Sequence, residues 1–385
     1  FLDVLSNRLG RNKFSNAALD ATEKAVKISP SEDRLERYVK LISQIDRSNK
    51  GSTRKELQTR FSDTIGKDQK KFESHMSFMF SRNDDSPQVA DFKSNQLMTD
   101  SRYFIKLLSR SVFNTGDMDR AIKILTKDRD ESDDRTLMFW NSLSNLYHEG
   151  LDWDAESLQT EFQTGTCVYL LHNSLPFHSG GYATRSHGLM SGLSKSHWTP
   201  TVISRLGYPN DLKNWNEKVV ETKGRIDGIK YTRMLTEDEG YGQLPMDEYL
   251  EAYCNALEST LSGSSIPEVI HGASNFMNGY AAVNVAKKLG LKSVYEVRGL
   301  WEITRASRDP FWMGSQHFEL LCNLEADVAK KADKVFCITA ALANEMVSRG
   351  VAEEKISILP NGVDPDKFPP IQRDIDLAND LGLRG

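Results

Sequence analysis

Two adjacent glycines and a series of polar residues behind short apolar runs are the groups in this chain best suited to holding a charged ligand. The segment Leu175–Leu193 reads LPFHSGGYATRSHGLMSGL and places Gly180 and Gly181 at the start of a helical pattern. Paired glycines let backbone N–H groups approach a ligand closely, and a helix N-terminus favours negative charge such as phosphate. The same pair also suits a plain loop–helix junction. It does not belong to a G-x-G-x-x-G pattern and no Walker lysine follows, so neither a dinucleotide fingerprint nor a P-loop is present. His172 and Asn173 follow the apolar run that precedes this loop; His271-Gly272, Arg298-Gly299, Thr339 and Asn361 follow four later ones. Ligands of open α/β sheets bind beyond the carboxyl ends of the strands. The series therefore has the arrangement of a site, although strand ends are also where chains simply become polar.

The elements that must position these groups begin at Thr166, where strand and helix patterns alternate as in a parallel sheet of βαβ units. Strands are expected at Cys167–Leu171, Thr201–Ser204, Pro267–Ile270, Ser293–Val297, Val335–Ile338 and Ile356–Leu359. Gly224–Gly228 resembles a hairpin turn. Helices are expected over Tyr182–Lys195, over Met277–Leu289 with Gly290 as its stop, and over Phe311–Lys331. The stretch Ala332–Phe368 shows the logic most clearly. Lys334–Ile338 is a short apolar run, as in a strand buried on both faces. Thr339 then caps a helix in which Leu342, Ala343, Met346 and Val347 recur at helical spacing and Gly350 supplies the stop. Asn361-Gly362 tolerates positive φ, which predicts a sharp turn after the last strand.

Residues 1 to about 160 read differently, as helices joined by polar turns. Ala17, Ala18, Ala21, Ala25 and Ile28 line one face; Leu35, Tyr38, Val39, Leu41, Ile42 and Ile45 line another. Phe104, Leu108, Val112, Ala121 and Leu125 suggest two helices about a turn at Asn114-Thr115-Gly116. Trp140, Leu143 and Tyr147 fall at the spacing of the first helix of a tetratricopeptide repeat, but Asn49–Asp100 shows no clear repeat, and a plain helical bundle fits as well. The run Lys50–Lys71 carries both signs of charge and reads as a solvated helical face.

At 385 residues, two domains are the natural expectation. Asp and Glu number 54 against 49 Lys and Arg, a formal charge of −5, which argues against a nucleic-acid-binding surface. Cys167, Cys254, Cys322 and Cys337 are widely spaced and read as small buried hydrophobes. No signal peptide and no apolar run near membrane-spanning length is found. The chain begins at Phe1 without methionine and ends at Gly385 within polar, helix-like sequence, so both ends look cut.

Three segments carry a family resemblance. ADKVFCITAALANEMVSRGVAEEKISILPNGVDPDKF (Ala332–Phe368) resembles the end of the first domain of family 4 glycosyltransferases of the GT-B fold. VIHGASNFMNGYAAVNVAKKLGLKSVYEVRGLWE (Val269–Glu302) resembles the middle of that domain, and the Gly180-Gly181 loop its first strand–helix junction. The match runs from about residue 166 to 368, loosely over Gly207–Ser265. The resemblance implies an α/β, Rossmann-like parallel-sheet domain over 161–368, the first half of a GT-B fold. An all-α region over 1–160 precedes it, and 369–385 begin a linker towards a C-terminal donor domain.

It further implies an enzyme that transfers a hexosyl unit from a nucleotide sugar to a glycan or lipid-linked acceptor, with retention of configuration. No metal and no other cofactor are expected. The YEVRGLWE variety resembles enzymes that build bacterial surface polysaccharides, acting in the cytoplasm or at the inner face of the membrane. The site residues carried over are Gly180, Gly181, Thr339 and Asn361 for donor phosphate, with Arg298, Glu302 and His271 for catalysis. One departure stands out, because many members carry histidine where this chain has Arg298. A guanidinium there can stabilise the leaving phosphate, or it can be the structural partner of Glu296 or Glu302. Trp301 and Trp312 have the surfaces to stack on a sugar or lipid, while core packing is the commoner fate of tryptophan. The family's donor-domain Glu-x7-Glu motif is absent from these residues, so the chain is expected to be inactive alone. Two alternatives stay open: an interaction scaffold whose helical region recruits a protein partner, and a sugar-nucleotide epimerase of GT-B architecture.

Overall fold

Apolar runs and amphipathic stretches sort the chain into helices first and a sheet afterwards. The computed structural model describes residues 15–28, 41, 102–127, 129–153, 157–212, 215, 220–263, 265–309, 312–367 and 372–383. The expected apolar face from Leu35 to Ile45 lies outside them except for Leu41, and the charged run Lys50–Lys71 lies outside them entirely. In chain order the helices are α1 Ser15–Ile28, α2 Arg102–Asn114, α3 Met118–Thr126 and α4 Asp134–Glu149. Then come β1 Gln163–Leu171, α5 Gly181–Leu193, β2 Thr199–Ser204, β3 Lys223–Ile226, β4 Ile229–Arg233 and α6 Met246–Ser262. β5 Pro267–Ala273, α7 Phe276–Leu289, β6 Lys292–Val297, α8 Trp301–Ala306 and α9 Gln316–Lys331 follow. β7 Lys334–Cys337, α10 Ala340–Ser348, β8 Ile356–Ile358 and α11 Ile375–Asp380 end the series.

Packing divides the chain into two units. One comprises Phe1–Asp154, Asp238–Ala252 and Leu300–Asp327; the other comprises Ala155–Glu237, Tyr253–Gly299 and Val328–Gly385. In the helical unit, α2 and α3 meet at the expected turn. Gly116 has φ +92° there, and a side chain on it would collide with Ser315. Asp117 caps α3 by accepting from the Arg120 N–H at 3.2 Å. Val112, Met118, Ala121 and Leu125 are buried, and Phe113 stacks on Trp140 with ring centres 4.4 Å apart.

The second unit is built on an eight-stranded sheet in the order β3-β4-β2-β1-β5-β6-β7-β8. All neighbours pair in parallel except β3 and β4. From β1 the chain first builds outwards through β2 and β4, then returns to lay β5 on the other side of β1. The order reverses between β1 and β5, and such a switch point opens a crevice at the carboxyl ends of the strands. This is the Rossmann-like α/β architecture that the strand–helix alternation predicts.

Several details differ from the sequence reading. β1 begins at Gln163; its first two residues are exposed and its last five buried, so only the second half gives an apolar signal. Gly224–Ile226 belong to β3, and the turn is Asp227-Gly228 alone, with φ of 47° and 82°. Positive φ at both centres suits a two-residue hairpin whose twist matches its strands. β4, hidden from the apolar pattern by its Lys and Arg, then pairs with β2. Neither Asn361 nor Gly362 adopts positive φ, so the sharp turn expected there is absent. α9 starts at Gln316, after Gly314 at φ +77°.

β5 and α7 lie unusually close. A Cβ on Gly272 would sit 2.6 Å from the Asn278 carbonyl oxygen, so only glycine fits. Asn278 in turn donates to the Ala273 carbonyl at 2.7 Å and accepts from the buried Tyr253 hydroxyl at 3.0 Å.

Candidate functional site

Strand register brings the polar residues of the switch point together. Tyr169 in β1 pairs with His271 in β5, and His271 pairs with Val294 in β6. Partners in a parallel pair share a face, and residues two apart return to it. Tyr169, His271 and Glu296 therefore face the same way, and Arg298, two residues past Glu296, continues on that side.

Glu296 is fully buried at the centre of this group. Its Oε1 accepts from Arg185 Nε at 3.0 Å and Nη2 at 2.7 Å, both from α5. Its Oε2 accepts from the Tyr169 hydroxyl and from Arg298 Nη2 at 3.0 Å. His271 Nε2 lies 3.5 Å from Oε2, long for a hydrogen bond. Its ring meets the edge of Tyr169 with centres 4.3 Å apart. Burial pushes the Glu296 pKa up, but His271 and the Arg298 guanidinium more than offset it, and the carboxyl is held well below its usual range. Burial lowers the His271 pKa, with Glu296 opposing, so the imidazole is neutral at pH 7. Tyr169 is pushed up by burial and by Glu296 and keeps its proton. Burial works against the Arg298 charge, yet Tyr169 and Glu296 outweigh it and its pKa is raised. One carboxylate between two guanidiniums leaves the cluster with a surplus positive charge.

Arg298 is turned inward. Nη1 donates to the Tyr182 carbonyl at 3.1 Å and to Ser186 Oγ at 2.8 Å; Nη2 donates to the Tyr169 hydroxyl and to Glu296. The pairing with Glu296, one of the alternatives left open by the sequence, is formed, and Nε is buried without a hydrogen-bond partner. The Arg298 backbone N–H donates to Ser274 Oγ, which itself donates to the Glu296 carbonyl at 3.1 Å.

The start of α5 is open. Gly180 is its N-cap in extended geometry, no side chain caps the helix, and a Cβ on Gly181 would meet nothing within 4 Å. The Ala183 and Thr184 N–H groups donate to the Gly180 carbonyl at 2.9 and 3.1 Å, so the Gly181 and Tyr182 N–H groups are the ones this helix start can offer an anion. Asn361 joins the same group through its Oδ1, which accepts from Arg185 Nη1 at 3.1 Å. Thr339 instead acts as the N-cap of α10, its Oγ1 accepting from the Leu342 N–H at 3.2 Å. Glu302 belongs to the helical unit, fully buried in α8, where Cys322 Sγ approaches its Oε1 at 3.9 Å. Trp312 is also buried there, with Arg305 stacked 4.0 Å from its ring centre, whereas Trp301 is 39% exposed.

Arg185 and Tyr169 escaped the sequence reading. Tyr169 looks like any core aromatic of a strand. Arg185 had a signal: it stands one helical turn after Gly181 in a helix that holds no other Arg, Lys, Asp or Glu. Among the described residues, no three of His, Cys, Asp or Glu gather as a metal site requires, and no helix is long and apolar enough to cross a membrane. All four cysteines are free thiols, three of them buried.

The Glycosyltransferase Family 4 profile matches residues 179–367, from the Gly180-Gly181 junction to the loop after β8. No curated protein matches the chain. Among solved structures, it is similar to a sucrose-phosphate synthase from Thermosynechococcus elongatus, at 16% identity and a TM-score of 0.41, over 57% of this chain and 53% of that one. It is also similar to S. aureus MnaA, solved with UDP, at 15% identity and a TM-score of 0.32, over 51% of this chain and 43% of that one. The chain thus spans about half the length of these two proteins. Residues 179–367, which carry the switch-point cluster and the open α5, match a glycosyltransferase family 4 domain and lie on a Rossmann-like parallel sheet.

Proposed function

We propose that this chain serves in the transfer of a hexosyl unit from a nucleotide sugar to a glycan or lipid-linked acceptor, with retention of configuration and without a metal. The observation that carries this reading is the uncapped start of α5, open above Gly181, beside a buried cluster with a surplus positive charge. The donor loses a nucleoside diphosphate as its sugar passes to the acceptor, so negative charge grows on the diphosphate oxygen as its bond to the sugar breaks. Donors and charges already fixed around that position lower the barrier because they need no reorganisation. In this reading the Gly181 and Tyr182 N–H groups at the start of α5 receive phosphate oxygens. Arg298 contributes charge through the cluster, since both its terminal nitrogens are already bonded within the protein. His271, neutral and at the edge of the cluster, offers a hydrogen bond that costs no desolvation of charge. The domain division that goes with this reading is a helical region up to about residue 160 and the transferase domain over 161–368.

The direct test incubates these residues joined to a glycosyltransferase donor domain with radiolabelled UDP-, GDP- and ADP-hexoses and glycan or lipid-linked acceptors, and follows nucleotide release and labelled product. Consumption of one donor class by the wild type, with loss in Gly181→Val, supports the reading. A panel in which no nucleotide sugar is bound or consumed refutes it.

A further inference from the structure

Arg185 has a role that the function proposed above does not use. Its guanidinium has five N–H donors, and all five are engaged. Nε and Nη2 donate to Glu296 Oε1 at 3.0 and 2.7 Å. Nη2 also donates to the Leu359 carbonyl at 2.8 Å, while Nη1 donates to the Pro360 carbonyl at 2.8 Å and to Asn361 Oδ1 at 3.1 Å. One edge of the planar fork thus grips the buried carboxylate. The other grips three successive residues after β8. No donor remains for a substrate, so Arg185 does not act on one directly.

We infer that Arg185 is a positioning residue that fastens the loop Leu359–Asn361 to Glu296 and so holds Asn361 in place relative to the start of α5. The loop has little else to hold it. β8 is only three residues long and lies at the sheet edge, with Ile358 and Val363 exposed. Its backbone is tied to the sheet by the Leu359 N–H, which donates to the Cys337 carbonyl at 2.9 Å. Segments with few buried apolar contacts open at low local free energy, and here a charged fork supplies what apolar packing does not. Arg185 also stands one helical turn after Gly181. Helix start and post-β8 loop therefore hang from the same rigid element. The consequence for turnover rests on the proposed glycosyl transfer; the consequence for the loop does not.

Lysine keeps the charge beside Glu296 but is a point charge with three donors, unable to span both groups. Arg185→Lys therefore retains the fold and separates positioning from stability. The test compares hydrogen–deuterium exchange of peptides covering 359–363 in the wild type, Arg185→Lys and Arg185→Ala, alongside thermal melting. We expect exchange in this segment to rise about tenfold or more in Arg185→Lys, with β1, β5 and β6 protected as in the wild type. In Arg185→Ala, millimolar guanidinium ion should restore part of the protection. Turnover of whichever nucleotide sugar the wild type consumes should fall with exchange and recover with guanidinium. Exchange at 359–363 that stays at the wild-type rate in Arg185→Lys overturns the inference, as does a rise spread evenly over the sheet. If the wild type consumes no nucleotide sugar, the functional reading fails while the exchange comparison still decides the role of Arg185.

Discussion

Glu296→Gln is the most searching perturbation of this fold, because it removes one charge and almost no volume. The carboxylate is fully buried and bonded to Arg185, Arg298 and Tyr169. Glutamine still accepts hydrogen bonds through one oxygen, but it presents an NH2 group to donors and leaves two guanidiniums without a counter-charge. Removing one partner of a buried ion pair costs about 3–5 kcal/mol, and the retained acceptor argues for the lower end. At about 2–4 °C per kcal/mol for a unit of this size, melting at pH 7 should fall by roughly 6–15 °C. Acid supplies an independent check of sign. The folded-state pKa of Glu296 is depressed, so its contribution is fully present above the unfolded value of about 4.3 and is lost as pH falls towards the folded one. The gap between wild type and variant should therefore narrow as pH drops from about 5 towards 2.5. Calorimetric melts of both proteins across that range are the assay. A gap below about 2 °C at pH 7, or one that does not narrow in acid, would refute the assignment of Glu296 as the centre of the cluster. Adding Arg298→Met to Glu296→Gln should cost less than the sum of the single changes, since it removes one orphaned charge.

Three further outcomes are expected. Gly181→Val should abolish most nucleotide-sugar turnover while changing stability by no more than about 0.5 kcal/mol, because its Cβ meets open space; unchanged turnover at wild-type stability would remove the helix start from the site. Gly272→Ala should destabilise by about 1–3 kcal/mol in urea titrations, since its Cβ would lie 2.6 Å from the Asn278 carbonyl oxygen. His317 has its pKa lowered to about 4 by burial, with Arg305 adding to the effect. Its unfolded form therefore binds more protons than the folded form below about pH 6.5, and stability should decline from there towards pH 4 by at most about 1.4 kcal/mol per unit for this group. His317→Gln should flatten that slope; an identical slope in the variant would place the titration elsewhere.

Alternating apolar runs and helical spacing were enough to read the α/β class, six of the eight strands and the caps at Thr339 and Gly290, because these depend on local periodicity and on single residues. The Gly180-Gly181 junction and Arg298 after β6 were legible for the same reason, whereas His271, expected just past its strand, lies inside β5. β3 and β4 were not, since their lysines and arginines hide an edge hairpin whose partner, β2, lies some twenty residues away. Nor was Arg185: nothing within α5 shows that its side chain would reach Glu296, 111 positions on, and Asn361, 176 positions on. Likewise Tyr169 becomes a hydrogen-bond donor to a buried carboxylate only because parallel register sets β1 beside β5 and β5 beside β6. Residue order determined which groups stand at strand ends and helix starts. Tertiary structure alone decided which of them share a carboxylate, because strand order and register, set by long-range packing, choose the neighbours that a buried charge must find to offset its desolvation.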